Sequence, residues 1–112
     1  MILCLDSGTT AVKAAAFDAS GQVLAHVELP NTALMRAGVR VEQDMAASAD
    51  LAIRALRDCA ARTDGHTPLG LVVTGQGDGL WPVDADGRPV GPAMTWLDGR
   101  ARGLVSELGD AL

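Results

Sequence analysis

The sequence predicts an α/β fold, a mixed sheet of short strands with one long amphipathic helix inserted before the last strand to join it. Three observations carry that expectation. Apolar runs between Ile2 and Leu29 are cut by Asp-Ser-Gly and Asp-Ala-Ser-Gly turns. Apolar residues between Asp44 and Arg62 recur at spacings of three and four. A further strand-like run, Leu69 to Thr74, follows that helix. With 112 residues and 48% hydrophobic content, the chain has the length and material for one domain around one core.

Taken in order, Ile2-Leu3-Cys4-Leu5 is a continuous apolar run that ends at Asp6-Ser7-Gly8, the pattern of a strand buried on both faces. Ala11 to Phe17 is a second strand, broken by Lys13 alone. Asp18-Ala19-Ser20-Gly21 is a tight turn, in which the aspartate can cap the backbone and the glycine can take positive φ. Gln22 to Leu29 is a third strand, and Pro30 ends it because proline has no amide for a ladder. Residues 31–43 read as a loop with at most a short extended piece.

Asp44 is placed to cap the long helix, whose stripe is Ala49, Ala52, Ile53, Leu56, Cys59 and Ala60. Asp64-Gly65 and Pro68 stop it near Arg62. Leu69 to Thr74 reads as a buried strand that leaves through Gly75-Gln76-Gly77-Asp78-Gly79, where three glycines free the backbone beside a strand end. Leu80 to Val83 and Arg88 to Val90 flank Asp84-Ala85-Asp86-Gly87 as a third hairpin. Asp98 is placed to cap a final helix from Gly99 to about Leu108. The first three strands should be antiparallel, with the fourth joining them after the helical crossover, giving the order β-β-β-α-β.

The charge balance narrows the function. A net charge of −5 argues against a nucleic-acid partner or an anionic membrane surface, because both need clustered basic residues. No run approaches the roughly 20 apolar residues of a membrane span, and Met1 to Leu5 meets Asp6 and Gly8 too soon for a signal peptide. Cys4 and Cys59 each lie in apolar runs and read as core residues in a reducing, cytoplasmic setting. His26 and His66 have no Cys or His at zinc-ligand spacing, and Asp84-Ala85-Asp86-Gly87 lacks the other ligands of a calcium loop. Ser7 and Ser20 have no nearby histidine to support acyl transfer.

One segment carries chemistry. Asp6-Ser7-Gly8-Thr9-Thr10 with Lys13, the only lysine in the chain, offers backbone amides, hydroxyls, a cation and a carboxylate, the parts a phosphate site with Mg²⁺ needs. The same residues also suit a capped hairpin turn. The spacing of a Walker loop is absent, and the turn leads into a strand where a Walker loop leads into a helix. Trp81 and Trp96, two of only three aromatic residues, are candidate walls of a binding site.

Taken together, the segments resemble the amino-terminal part of the FGGY family of carbohydrate and polyol kinases. ILCLDSGTTAVKAAAFD, from Ile2 to Asp18, resembles the family's first phosphate motif, and Gly21 to Ala25 its next strand. Val41-Glu42-Gln43-Asp44 resembles the opening of its first long helix. Val73 to Gly79 resembles its substrate loop, and Asp84 to Ala101 the block that follows. Gly77-Asp78-Gly79 and Trp96-Leu97-Asp98 look most like erythritol-type polyol kinases. Xylulose kinases usually carry Met-His, and glycerol kinases Arg-Glu, at Gly77-Asp78.

The resemblance implies a partial ribonuclease H-like, or actin-like ATPase, domain, with ATP and Mg²⁺ as cofactors and a sugar or polyol as substrate. It implies Asp6 as the Mg²⁺-linked carboxylate, Gly8, Thr9 and Thr10 as the cradle for the nucleotide phosphates, and Lys13 as a cation near the transferred group. Asp78 would accept hydrogen bonds from polyol hydroxyls at a position where Gly77 supplies no side chain. Trp96 would form an apolar wall, Asp98 would serve the sugar site or cap a helix, and Trp81 and Gln76 would support. The proton-accepting aspartate is expected downstream of residue 112, so residues 1–112 are expected to be an incomplete first domain without turnover of its own. An incomplete sheet has an unpaired edge, from which a homodimer is a further expectation.

Overall fold

The structure is a computed structural model that describes residues 1–109. Its first sheet has four strands, β1 (Ile2–Ser7), β2 (Ala11–Phe17), β3 (Val23–Pro30) and β6 (Gly70–Gly75), in the order β3-β2-β1-β6. β1 to β3 are antiparallel neighbours, and β6 pairs parallel to β1 from Ile2↔Gly70 to Ser7↔Gly75. The crossover that makes this parallel pairing contains helix α1 (Met45–Ala60). The β-β-β-α-β order expected from the sequence is the observed one.

Asp44 caps α1: its side chain accepts from the Ala47 amide at 2.9 Å, worth about 1 kcal/mol at such a position. The helix packs on one face of β1, β2 and β3, where Leu3, Leu5, Val12, Ala14, Ala16, Ala25 and Val27 meet Leu51, Ala55 and Cys59. The small alanines on the strands leave room for the helix. The buried line along α1 is Ser48, Leu51, Ala55 and Cys59, with Ala52, Leu56 and Ala60 partly buried beside it. The expected stripe is therefore turned by part of a residue step, and Ala49 and Ile53 face away from the core.

Three expectations are corrected by burial and pairing. β1 is buried on one face only: Leu3 and Leu5 lie under α1, while Ile2 and Asp6 are exposed on the other face and Cys4 between them is half-buried. β6 is exposed at every position, since it lies at the sheet edge beyond the reach of α1. Cys4, expected in the core, is a half-buried free thiol on the face away from α1, whereas Cys59 is a free thiol inside the core as expected, where burial pushes it above its ordinary pKa.

Residues 31–43 are more than a loop. β4 (Leu34–Ala37) and β5 (Arg40–Gln43) form a hairpin, closed at Ala37↔Arg40 by Gly38-Val39. Gly38 has φ +61°, the positive value that the first position of a two-residue type II′ turn requires. β8 (Ala93–Thr95) adds to β5, and β7 (Gly79–Leu80) adds to β8, making a second sheet of order β4-β5-β8-β7. The third hairpin shrinks to a bridge, Val83↔Pro89, around a turn in which Asp84 accepts from the amides of Asp86 and Arg88.

The final helix, α2 (Arg102–Gly109), begins three residues later than expected and has no buried side chain. The structure extends over 56 × 29 × 26 Å with a radius of gyration of 17.3 Å, against roughly 13 Å for a compact domain of about 100 residues. The expected single core lies under α1, and the second sheet stands beyond it with a small buried set of its own, Val41, Gln43, Ala93 and Thr95.

Candidate functional site

The phosphate-like turn joins β1 to β2. Ser7 pairs with Val12, and the Gly8 amide closes the turn on the Ala11 carbonyl at 3.0 Å. A Cβ on Gly8 would stand 2.8 Å from that carbonyl oxygen, so glycine is required by close approach. Asn31 clamps the turn from the other side. Its side-chain amide donates to the carbonyls of Gly8 at 3.0 Å and Thr9 at 3.1 Å, and its backbone amide donates to Thr10 at 2.9 Å. The turn's carbonyls are thus satisfied internally, while the amides of Thr9 and Thr10 have no acceptor among the described residues. Free amides and occupied carbonyls leave a turn with donors to offer an anion.

Asp6 and Lys13 are directly opposite across β1 and β2, and Thr74 is opposite Asp6 on β6. Alternation along the strands puts these three on the sheet face that α1 does not cover. There Asp6, Lys13 and Thr74 line a shallow cavity of about 270 Å³ with Cys4 and Val72. Asp6 is the one carboxylate lining that cavity, Glu28 stands opposite Lys13 on β3, and no group of three metal-ligating side chains occurs among the described residues. That composition suits Mg²⁺, which keeps several waters and uses one or two carboxylates plus substrate phosphates.

The glycine-rich loop after β6 reaches the same turn. The Thr9 hydroxyl donates to Gln76 Oε1 at 3.2 Å, and the Trp96 indole N–H donates to Thr9 Oγ1 at 3.0 Å. Gly77 lines a cavity of about 390 Å³ with Ser7, Thr74, Gln76 and Trp81. Trp96, 58% exposed, lines a different one of about 430 Å³ with Asp98 and Val105. A further cavity of about 520 Å³ is lined by Leu80, Met94 and Leu104 together with Asp98 and Arg100. Asp78 is exposed in the loop after β6 and lines none of these cavities. The structure brings Trp96 and Gln76 to the phosphate-like turn by hydrogen bonds, while Asp98 is bonded to Val41 and Arg100 and not to Gly77 or Asp78.

Asp98 does not cap α2. Its carboxylate accepts from the Val41 amide at 2.9 Å, from the Arg100 amide at 3.0 Å, and from Arg100 Nε and Nη2 at 2.8 Å each. Four bonds fill the roughly four lone-pair sites of a carboxylate, so Asp98 ties the β8 exit to β5. The Arg100 guanidinium, followed by the Val41 amide, holds the Asp98 carboxyl far below its ordinary pKa. Arg100 also reaches Glu42 at 2.8 Å.

Sequence reasoning missed Asn31 and Gln43. Gln43 is 1% exposed and bonds Gln76, Asn31 and Ser48. The available signals were an asparagine beside a strand-ending proline and a glutamine immediately before a helix cap, both too common to single out.

Comparison with known proteins fits this arrangement. Residues 1–111 match the model of the N-terminal domain of the FGGY family of carbohydrate kinases. The chain is 41% identical over 110 residues to an erythritol kinase of Brucella abortus (strain 2308), covering 96% of this chain and 21% of that protein. It is 34% identical over 116 residues to a xylulose kinase of Streptomyces rubiginosus, covering 99% and 23%. The crystal structure of xylulose kinase from Rhodospirillum rubrum superposes with a TM-score of 0.88 at 27% identity, covering 98% of this chain and 23% of that one. The chain thus spans about a fifth of the length of these relatives, and the ribonuclease H-like fold expected from the resemblance is the fold observed. By its sequence match along residues 1–111 and by its fold, the chain belongs to the FGGY family of carbohydrate kinases.

Proposed function

We propose that this chain is the amino-terminal portion of the first domain of an ATP-dependent polyol or sugar kinase, which transfers the γ-phosphoryl group of ATP to a substrate hydroxyl. The observation that carries the proposal is the turn at Gly8–Thr10, with its clamped carbonyls and free amides, bonded through Thr9 to the substrate-like loop at Gln76. In this reading Asp6 holds Mg²⁺ through water, the amides of Thr9 and Thr10 and the Thr10 hydroxyl receive phosphate oxygens beside Gly8, and Lys13 adds a point charge. The metal ion supplies neutralisation of phosphate charge when bound. Asp78 accepts hydrogen bonds from polyol hydroxyls, and Trp96 gives the carbon skeleton an apolar wall. The absent side chain at Gly77 leaves room beside Asp78 and favours a polyol such as the erythritol of the Brucella relative over glycerol. The two free thiols favour a cytoplasmic setting, and no helix among the described residues is long and apolar enough to cross a membrane.

No group among the residues of this reading accepts the hydroxyl proton, so residues 1–112 have no turnover alone. A coupled ADP-release assay with erythritol, xylulose and glycerol tests both halves. The isolated chain is expected to be silent. An enzyme carrying the segment is expected to turn over with erythritol, and Asp78→Ala to raise the polyol KM about tenfold or more, the size of a lost charged hydrogen bond. Polyol-dependent ADP release by the isolated chain would sink the second half.

A second reading rests on the uncovered edge. β6 presents Leu71, Val72 and Val73 at 52–60% exposure with neither charge nor proline to protect the free strand edge. The isolated chain then pairs with a second copy through β6, as a homodimer, and sedimentation at micromolar concentration reads the mass directly.

A further inference from the structure

A line of five hydrogen bonds runs from the rim of the candidate site into the base of α1. The Trp96 indole N–H donates to Thr9 Oγ1 at 3.0 Å. Thr9 Oγ1 donates to Gln76 Oε1 at 3.2 Å, and Gln76 Nε2 to Gln43 Oε1 at 2.7 Å. Gln43 Nε2 then donates to Ser48 Oγ at 2.7 Å, and Ser48 Oγ to the Asp44 carbonyl at 2.6 Å. Both ends are chemically fixed: an indole N–H can only donate, and a carbonyl can only accept. The ends alone leave the middle free, because a hydroxyl can accept twice, but Asn31 orients the glutamines: its Oδ1 accepts from the Ala33 amide at 3.0 Å, so its NH₂ group faces Gln43, whose oxygen must meet it. That NH₂ group, held by the carbonyls of Gly8 and Thr9, lies 3.4 Å from Gln43 Oε1, which turns Gln43 Nε2 to Ser48 and Gln76 Nε2 to Gln43.

The direction has a chemical consequence for the turn. The Thr9 hydroxyl proton is used inside the line, so Thr9 has only its backbone amide to give an anion, while Thr10 keeps an uncommitted hydroxyl. The line also joins three segments far apart in sequence: the turn after β1, the loop after β6, and the segment after β8 that carries Trp96. Gln43, 1% exposed and with no hydrogen bond to Trp96, sits where all of them meet the helix cap.

We propose that Gln43 is a positioning residue that acts through Gln76 and Thr9, fixing the Trp96 ring and the Gly75–Gly79 loop against the phosphate-like turn. The functional half of this rests on the kinase reading above; the hydrogen-bond half does not. Aligned bonds of this kind reinforce one another, so loss of an inner member is felt at the rim.

The test reads the Trp96 indole N–H by ¹⁵N NMR on the 112-residue chain, with Trp96→Phe distinguishing it from Trp81. Thr9→Val is expected to shift this resonance upfield and to speed its exchange with solvent, and Thr9→Ser to leave it in place. Gln43→Leu, which removes no atom near the indole, is expected to move the resonance in the same direction, and the double variant to move it no further than Thr9→Val. Val27→Ala, a core change elsewhere, is expected to leave it unmoved. Should Gln43→Leu fail to fold, Gln76→Met at the half-buried link carries the same expectation.

A resonance that ignores the inner substitutions, or that moves equally with Val27→Ala, overturns the proposal. In an enzyme carrying the segment, Thr9→Val and Gln43→Leu are each expected to lower kcat/KM by up to roughly 10²-fold, as small misplacements do, with a double variant far from additive. Additive losses overturn the positioning role. A wild-type enzyme without kinase activity overturns the functional reading alone, since the NMR result stands or falls separately.

Discussion

Val12, Ala14 and Ala16 on β2 are at most 1% exposed, whereas Leu71, Val72 and Val73 on β6, two strands away in the same sheet, are 52–60% exposed. The two strands carry similar apolar character and similar lengths. What separates them is cover: α1 lies over β1 to β3 and stops short of β6. An apolar run predicts that a strand wants burial; only the neighbours decide whether it gets it. The same contrast holds for the helices, since α1 buries four residues and α2, with Leu104, Val105 and Leu108 all more than half exposed, buries none.

The largest expected effect tests the covered side. Leu51→Ala removes a 5%-exposed side chain from the α1 face of the core and is expected to cost about 2–5 kcal/mol, measured by urea unfolding. Next is the α1 cap. Asp44→Ala removes the acceptor for the Ala47 amide and is expected to cost about 1 kcal/mol in the same experiment. If either substitution left the urea midpoint unchanged, α1 would not be what holds β1 to β3 together, and the contrast with β6 would lose its cause.

A smaller effect, confined by pH, concerns the second sheet. The Asp98 carboxyl is held below its ordinary value of 3.8 by Arg100 and the Val41 amide. A depressed carboxylate contributes stability that is complete above the ordinary value and fades as pH falls through it toward the lower folded value. Asp98→Asn is therefore expected to be less stable than the parent chain at pH 7, with the gap closing in acid below about pH 4. A gap that is constant from pH 7 to pH 3 would mean that the Arg100 pair does not tie β8 to β5.

The sequence made the covered region legible and the rest less so, for identifiable reasons. β1, β2, β3 and α1 obey local rules: apolar runs, an Asp-Ala-Ser-Gly turn, an aspartate cap and a helical stripe. β4 and β5 do not, because Leu34-Met35-Arg36-Ala37 and Arg40-Val41-Glu42-Gln43 have little strand patterning and owe their pairing to Gly38 and to β8. The candidate site was legible as a turn and a loop whose residue types suit phosphate and polyol ligands. Residue types alone grouped Asp6, Gly8, Thr9, Thr10 and Lys13, and the resemblance to the FGGY family implied a role for each. Asn31 and Gln43, which hold that turn and loop in place, act through side-chain amides whose partners lie up to 33 residues away. No local pattern marks such residues. Asp98 shows the opposite failure: a capping residue type in the right place, drawn instead to Arg100 and β5 because a bidentate charged partner outbids two or three helix amides.

The smallest expected effect is the sharpest test of cover as the deciding variable. Leu71→Ala removes a larger apolar side chain than any alanine in the core, yet Leu71 is 52% exposed, so the change is expected to fall within about 0.5 kcal/mol in urea. Val72→Lys goes further by placing a charge in the free edge strand; it too should barely alter unfolding, while lowering any self-association seen in sedimentation, because a lysine on an edge strand opposes pairing with another edge. A Leu71→Ala cost as large as that of Leu51→Ala would show that β6 is covered in solution. Together with a Val72→Lys variant that shifts the sedimenting mass from dimer to monomer, it would identify the cover as a second copy of the chain.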